Sequence, residues 1–272
     1  MPENELAHLR CSAGSSSFCR ALLVDNLDSL PGDARIAFLG IPFDEGTLYR
    51  PGCRFGPGSI RDASLVYGSS AHGFGGFYDV EVGRLLLARA RMVDVGDVRL
   101  FPTQSALSLE SITATVGDLI DRGLFVVSVG GDHSVSFPII RAHASRRQIN
   151  IVQFDTHLDF TDEVSGARYS QGSPMRRASE LEGVDKIVQI GIRGLLNSPV
   201  SHMSAIAAGN IVVTTQELRR IGAEQTMRMV PPGDCYVTID IDLFDPSIAP
   251  GTGTPEPGGC LLYTSPSPRD CK

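Results

Sequence analysis

Short apolar runs recur along the chain and alternate with longer segments of helical period. The runs are 35–41 (RIAFLGI), 91–95 (RMVDV), 124–129 (LFVVSV), 149–154 (INIVQF), 186–192 (KIVQIGI), 210–213 (NIVV) and 235–241 (CYVTIDI). Few of them alternate apolar with polar, so they read as strands covered on both faces, as in a parallel sheet. Between them, 103–122 carries Leu107, Ile112, Val116, Leu119 and Ile120 at helical spacing and ends at Gly123. Further helices are expected from Pro57 to about Tyr67, over 136–146, 174–181 and 215–229. Strands alternating with helices predict an α/β fold, a parallel sheet with helices on both faces. Residues 1–34 are mixed and rich in Ser, Gly and Asp, and are expected to form a surface lead-in to one domain over 35–259.

Two stretches break this rhythm. Residues 43–64 (FDEGTLYRPGCRFGPGSIRDAS) are too rich in glycine and proline for regular structure until Pro57, which suits the first turn of a helix. A loop of that length at a strand end is often functional. Residues 68–83 form a second glycine-rich loop, but Gly73-Phe74-Gly75-Gly76 is no dinucleotide fingerprint, because no strand leads directly into it.

Composition narrows the class. A chain of 272 residues, 42% apolar and 20% charged, has the make-up of a globular protein with a sizeable core. The formal net charge of -7 argues against nucleic acid or an anionic membrane as partner. Six cysteines without a C-x-x-C pair point to a reduced, cytoplasmic protein. The polar N-terminus and the lack of a long apolar run predict neither a signal peptide nor a membrane span.

The candidate chemistry lies at the ends of three predicted strands. His133 follows the first, Asp155, His157 and Asp159 the second, and Asp240 and Asp242 stand at the third. In open parallel sheets, ligands bind beyond the carboxyl ends of the strands. Asp155, His157 and Asp159 would share one side if the chain stayed extended past its strand. Uncompensated carboxylates clustered there would repel one another, and divalent cations remove that cost. Six potential ligands exceed the needs of a single catalytic zinc and suit two ions with shared carboxylates. Oxygen and imidazole donors without cysteine favour Mn²⁺.

The stretches GGDHS (130–134), DTHLD (155–159) and DIDLFDPSIAPGTGTPEPGG (240–259) resemble, in order, the signatures of the ureohydrolases, the arginase and agmatinase family. The resemblance implies a three-layer α/β/α fold with an eight-stranded, mostly parallel sheet. It implies two Mn²⁺ ions, one on His133, Asp155, Asp159 and Asp240 and the other on Asp155, His157, Asp240 and Asp242. It further implies hydrolysis of a guanidino compound to urea and an amine by hydroxide bridging the ions, with Asp159 moving the proton. The expected partner is therefore a small guanidino substrate, and the expected assembly is a trimer or hexamer. The segment 50–57 (RPGCRFGP) and the loop 160–178 look agmatinase-like, which favours agmatine (giving putrescine) or an ω-guanidino acid over arginine. Asp162 and Glu163 are candidates to receive a cationic tail.

Two departures from the family qualify this expectation. Gln171 stands before Gly172, where many members carry a proton-shuttling histidine, and glutamine relays no proton at neutral pH. Slower turnover or an atypical substrate is expected from it. After Gly259 the family continues through another strand, whose end carries a guanidinium-contacting Glu, and a closing helix. Residues 260–272 (CLLYTSPSPRDCK) resemble translated adapter sequence instead, and a longer natural chain is expected. A relative that binds metal without catalysis is the rival reading.

Overall fold

The computed structural model describes residues 10–11, 16–68, 76–88 and 90–260. The chain packs as two compact units, Met1–Asp44 with Gly52–Gly131, and Glu45–Pro51 with Asp132–Lys272.

The first unit is built on a five-stranded sheet of β1 (Arg10–Cys11), β2 (Leu22–Leu23), β3 (Ala34–Gly40), β6 (Arg91–Val98) and β7 (Phe125–Val129). Their order is β1-β6-β3-β7, with β2 also on β6. All pairings are parallel except β1 with β6. The helix Ser105–Asp121 packs on β6 and β7, burying Leu109, Ile112, Val116, Leu119 and Ile120, and the chain turns at Gly123 with φ +78°. A hairpin, β4 (Phe77–Asp79) with β5 (Arg84–Leu86), occupies the described part of the second glycine-rich loop. Residues 73–75 of its glycine cluster lie outside the described residues.

The lead-in is not all surface. Phe18, Val24 and Leu27 are buried, and Phe18 packs against Phe38 with ring centroids 5.3 Å apart. Isolated apolar residues among polar ones carry no periodic signal, which is why the sequence reads there as exposed. Phe18 also covers Arg61, whose guanidinium lies 4.3 Å from the ring centroid. Arg61 is 1% exposed and donates to Asp94 through Nε (2.9 Å) and Nη2 (3.2 Å), and to Asp97 through Nη1 (2.6 Å).

The second unit carries a four-stranded parallel sheet of β8 (Ile149–Phe154), β9 (Val184–Ile192), β10 (Ile211–Thr214) and β11 (Cys235–Ile239). Their order is β10-β9-β8-β11. Alternation along β8 serves two cores. Ile149 and Ile151 join Ile187, Leu158, Phe160 and Met175, while Val152 joins Val188, Ile190, Val213 and Leu243. Burial on both faces explains the unbroken apolar run. The strands expected in one eight-stranded sheet are thus distributed over two sheets, mostly parallel as expected. Among the described residues β7 pairs only with β3, and β11 only with β8.

Helices of this unit include Ser136–Ala144, Pro174–Ala178 and Pro199–Ala207. The last has no clear apolar period and escapes sequence reading, although Ser198 caps it by accepting from Ser201 N–H and Pro199 opens its first turn. The helix expected over 215–229 breaks at Gly222 (φ +82°) into Thr215–Ile221 and Ala223–Met227. No described helix is long and apolar enough to cross a membrane. The tail over 261–272 lies outside the described residues.

Replacing Arg61 by methionine strands Asp94, which is 0% exposed, without its counter-charge. Chemical denaturation is expected to show a loss of about 3–5 kcal/mol, the usual cost of breaking a buried ion pair from one side. A loss below about 1 kcal/mol would contradict this role.

Candidate metal centre

Local devices in the chain present the candidate acids and imidazoles. Asp132 caps the short turn His133–Val135 by accepting from Ser134 N–H at 2.8 Å. The other oxygen of Asp132 accepts Gly46 N–H at 2.8 Å. Gly46 sits so close that a Cβ there would lie 2.6 Å from Ser134 Oγ, so only glycine fits. Asp240 caps the turn Ile241–Leu243 by accepting Asp242 N–H at 3.0 Å, which ends β11 two residues before the apolar run does.

After β8 the chain does not stay extended. It bends at Thr156 and His157, and Asp159 adopts φ +47°, a left-handed conformation that Asp tolerates better than most residues. Met175 N–H (3.1 Å) and Arg176 N–H (3.3 Å) both donate to the Asp159 carbonyl and hold it there. Asp155, His157 and Asp159 do converge, but through this bend rather than through strand alternation.

All six residues meet in one cluster. His133 Nδ1 lies 2.9 Å from Asp155 Oδ2, 2.7 Å from Asp159 Oδ2 and 3.3 Å from Asp240 Oδ2. His157 Nδ1 lies 3.1 Å from Asp242 Oδ2 and 3.8 Å from Asp155 Oδ1. Two groups are close enough to grip an ion, His133 with Asp155 and Asp159, and Asp155 with His157 and Asp242. Asp155 belongs to both. It is 0% exposed, Asp242 is 2% and Asp159 8%.

The electrostatics of the metal-free cluster are unfavourable. Burial raises the pKa of Asp155, with Asp159 and Asp240 pushing the same way. Burial also raises Asp159 against the pull of His133, and raises Asp240 and Asp242, helped by Asp242 and Asp155 respectively. Burial opposes protonation of His157, but the hydrogen bond and charge of Asp242 outweigh it and lift its pKa to about 9. His133 follows the same logic: burial works against its charge, and Asp155 and Asp159 raise it well above the usual value. The metal-free site therefore retains protons at neutral pH.

The donors fit a hard divalent cation. His157 Nε2 is a buried nitrogen without a hydrogen-bond partner, a costly state that a ligand relieves, and His133 Nδ1 faces three carboxylate oxygens that a cation could share with it. The far nitrogen of His133, Nε2, lies 2.9 Å from Thr238 Oγ1, the kind of outer contact that orients a metal-binding imidazole. Thr238 stands two residues before Asp240 on β11, and that alternation was available in the sequence.

Other candidates fall elsewhere. Gln171 is held by its backbone, its N–H donating to Gly46 carbonyl at 2.9 Å, and its side chain makes no hydrogen bond to the six. Asp162 does not stand open for an amine. It is 65% exposed at the side chain and engaged by Arg177, with Arg168 (3.7 Å) and Arg176 (3.8 Å) close by. Glu163 is exposed on the same loop. Sequence reading also missed Arg193, whose Nη2 donates to the carbonyls of Asp242 and Glu256, both at 2.8 Å, and so ties the turn that bears Asp242 to the 240–259 segment.

This constellation can be compared with known proteins. The arginase-family sequence profile matches residues 34–265. The chain belongs to the arginase family. It is 37% identical to the guanidinopropionase of Pseudomonas aeruginosa over 237 residues, 84% of this chain and 72% of that one. It is 31% identical to the agmatinase of Bacillus anthracis, covering 84% and 74% respectively. The solved proclavaminate amidinohydrolase of Streptomyces clavuligerus superposes with a TM-score of 0.80 at 32% identity, covering 93% of this chain and 82% of that one. By this kinship the protein is a hydrolase of the amidinohydrolase type, and its α/β fold is that of the arginase family.

A cation that takes the histidine nitrogens must displace their protons. Because the His157 pKa lies near 9, above its ordinary 6.5, Mn²⁺ affinity is expected to climb from pH 6 towards pH 9 and then level off. Titration calorimetry in buffers of different ionisation enthalpy reads both the affinity and the protons released. An affinity independent of pH with no proton release would contradict the cluster as the binding site.

Proposed function

We propose that the protein hydrolyses a linear guanidino compound to urea and an amine at a centre of two Mn²⁺ ions. The convergence of His133, Asp155, His157, Asp159, Asp240 and Asp242 supports this reading above any other observation. His133, Asp155, Asp159 and Asp240 would hold one ion, and Asp155, His157, Asp240 and Asp242 the other. Bound there, the ions would supply hydroxide near neutral pH and positive charge facing the developing tetrahedral centre. Oxygen and imidazole donors with no thiolate suit Mn²⁺ better than a thiophilic metal.

The protein's own groups supply position and proton transfer. Asp159 is 8% exposed, and its Oδ2 lies 2.7 Å from His133 Nδ1, inside the cluster where the substrate water would stand. It would accept the proton of the attacking water at Oδ2 and pass it to the leaving nitrogen, which must be protonated to depart as an amine. Met175 and Arg176, by gripping the Asp159 carbonyl, keep that carboxyl in place. The segment Glu45–Pro51 lies against Gly172 through Leu48 and against Asp132 and Ser134 through Gly46, and would cover the substrate.

Agmatine is the first candidate substrate, on the likeness of the loops over 50–57 and 160–178 to agmatinases. One observation favours a second reading. Asp162, the carboxylate proposed to receive a cationic tail, is occupied by arginines. An ω-guanidino acid such as 3-guanidinopropionate needs no such acceptor, and a guanidinopropionase is among the relatives. Urea release from Mn²⁺-loaded protein offered agmatine, 3-guanidinopropionate, 4-guanidinobutyrate and arginine in parallel tests both readings. Turnover of the first or of the two acids is expected, and release from arginine alone would contradict them. Silence on all four would favour a metal-binding relative without catalysis.

Gln171 is proposed to slow the reaction, since its amide cannot relay a proton. Gln171→His is expected to raise turnover by about tenfold or more, up to the 10²–10⁴-fold typical of general acid–base catalysis. A new pH dependence near the histidine pKa should accompany the gain. An unchanged rate and pH profile would remove Gln171 from the mechanism.

A further inference from the structure

Two glutamines stand side by side inside the second unit, on the sheet face that carries Ile151 and Ile187. Gln153 of β8 and Gln189 of β9 are register partners, and both are 0% exposed. A buried amide persists in apolar surroundings only when its polar groups are paired. Here the pairing runs in one direction across three strands. Asn210, at the entry to β10, donates Nδ2–H to Gln189 Oε1 at 3.0 Å. Gln189 Nε2 donates to Gln153 Oε1 and to the Leu158 carbonyl, both at 2.6 Å. Gln153 Nε2 then donates to Asp155 Oδ2 at 2.7 Å and to the His157 carbonyl at 3.2 Å.

The polarity of this ladder is forced. The Leu158 and His157 carbonyls can only accept, so each glutamine must turn its NH₂ towards them. Their oxygens are then left to face Gln153 and Asn210 correctly, and the ladder ends in an N–H aimed at a carboxylate. That carboxylate is Asp155, the residue common to both ligand groups. Its other oxygen accepts His157 N–H at 2.7 Å. With a donor on each oxygen the carboxylate cannot rotate, and its remaining lone pairs are directed to the two histidine sides.

We propose that Asn210, Gln189 and Gln153 form a positioning device for the metal centre, acting through Asp155 and the 157–158 carbonyls. The proposal rests on the metal-centre reading above. Gln189 makes no hydrogen bond to any of the six candidate ligands; it acts on a bound ion at one remove, through Gln153 and through the Leu158 carbonyl between His157 and Asp159.

Mn²⁺ binding to the metal-free protein, read by electron paramagnetic resonance of the free ion, tests this alongside thermal unfolding of the same metal-free samples. Gln153→Met and Gln189→Met keep side-chain volume and lose the donors. Each is expected to weaken Mn²⁺ binding about 10–100-fold, the usual effect of removing an outer-shell partner. The double variant should lose less affinity than the two single losses combined, because the two share the Gln153–Asp155 contact. Gln153→His, which can return an N–H to Asp155, should recover much of the affinity. If Gln189→Met does not fold, Asn210→Ala at the rim of the ladder carries the test, with a several-fold loss expected. Lower melting temperatures with unaltered Mn²⁺ affinity, or additive losses in the double variant, would overturn the ladder and leave the metal centre standing. Absence of Mn²⁺ binding by the unaltered protein would overturn the metal centre and the ladder with it.

Discussion

Mutual repulsion among Asp155, Asp159, Asp240 and Asp242 is the constraint on which the rest of the second unit depends. Three of these carboxylates are nearly or fully buried, and all four sit beside one another with two imidazoles between them. Without added positive charge the cluster can exist only by holding protons, which is the direction in which every one of its groups is shifted. A pair of divalent cations would resolve the conflict, because it substitutes for those protons and supplies the positive charge the carboxylates lack.

The fold is arranged to withstand this repulsion until the cations arrive. The paired parallel strands β8 and β11 end side by side, and short capped turns begin at Asp132 and Asp240 and carry His133 and Asp242. Asp159 is kept in a left-handed conformation by two backbone donors from the helix Pro174–Ala178. Strain of that kind costs on the order of 1–3 kcal/mol and persists where the surroundings over-determine it. Arg193 braces the turn that bears Asp242, and buried amides hold Asp155 from behind. Apolar packing of Ile151, Leu158, Phe160 and Met175 gives these polar contacts a rigid base.

Much of this was legible in the sequence, and the exceptions have physical reasons. β8 was read to the residue, because a strand buried on both faces leaves an unbroken apolar run. The candidate ligands were legible because their chemical types are unusual at strand ends. The route by which they converge was not, since a left-handed Asp159 has no sequence signature. Burial of Phe18, Val24 and Leu27 was hidden by their spacing among polar residues, and the helix Pro199–Ala207 by its weak period. The engagement of Asp162 by Arg177 depends on the fold of the loop after Asp159, so composition alone left it looking free. Gln153 and Gln189 looked like isolated polar residues in two apolar strands; only the register of β8 with β9 makes them a pair.

Membership of the arginase family and the six converging donors lead to one central claim, that the cluster holds two cations sharing Asp155. The most direct test is the low-temperature paramagnetic resonance spectrum of the Mn²⁺-saturated protein, combined with its metal content. Two ions bridged by a carboxylate are spin-coupled, so about two manganese per chain with the multiline spectrum of a coupled pair is the expected result. A single ion per chain with the six-line spectrum of isolated Mn²⁺ would contradict the account.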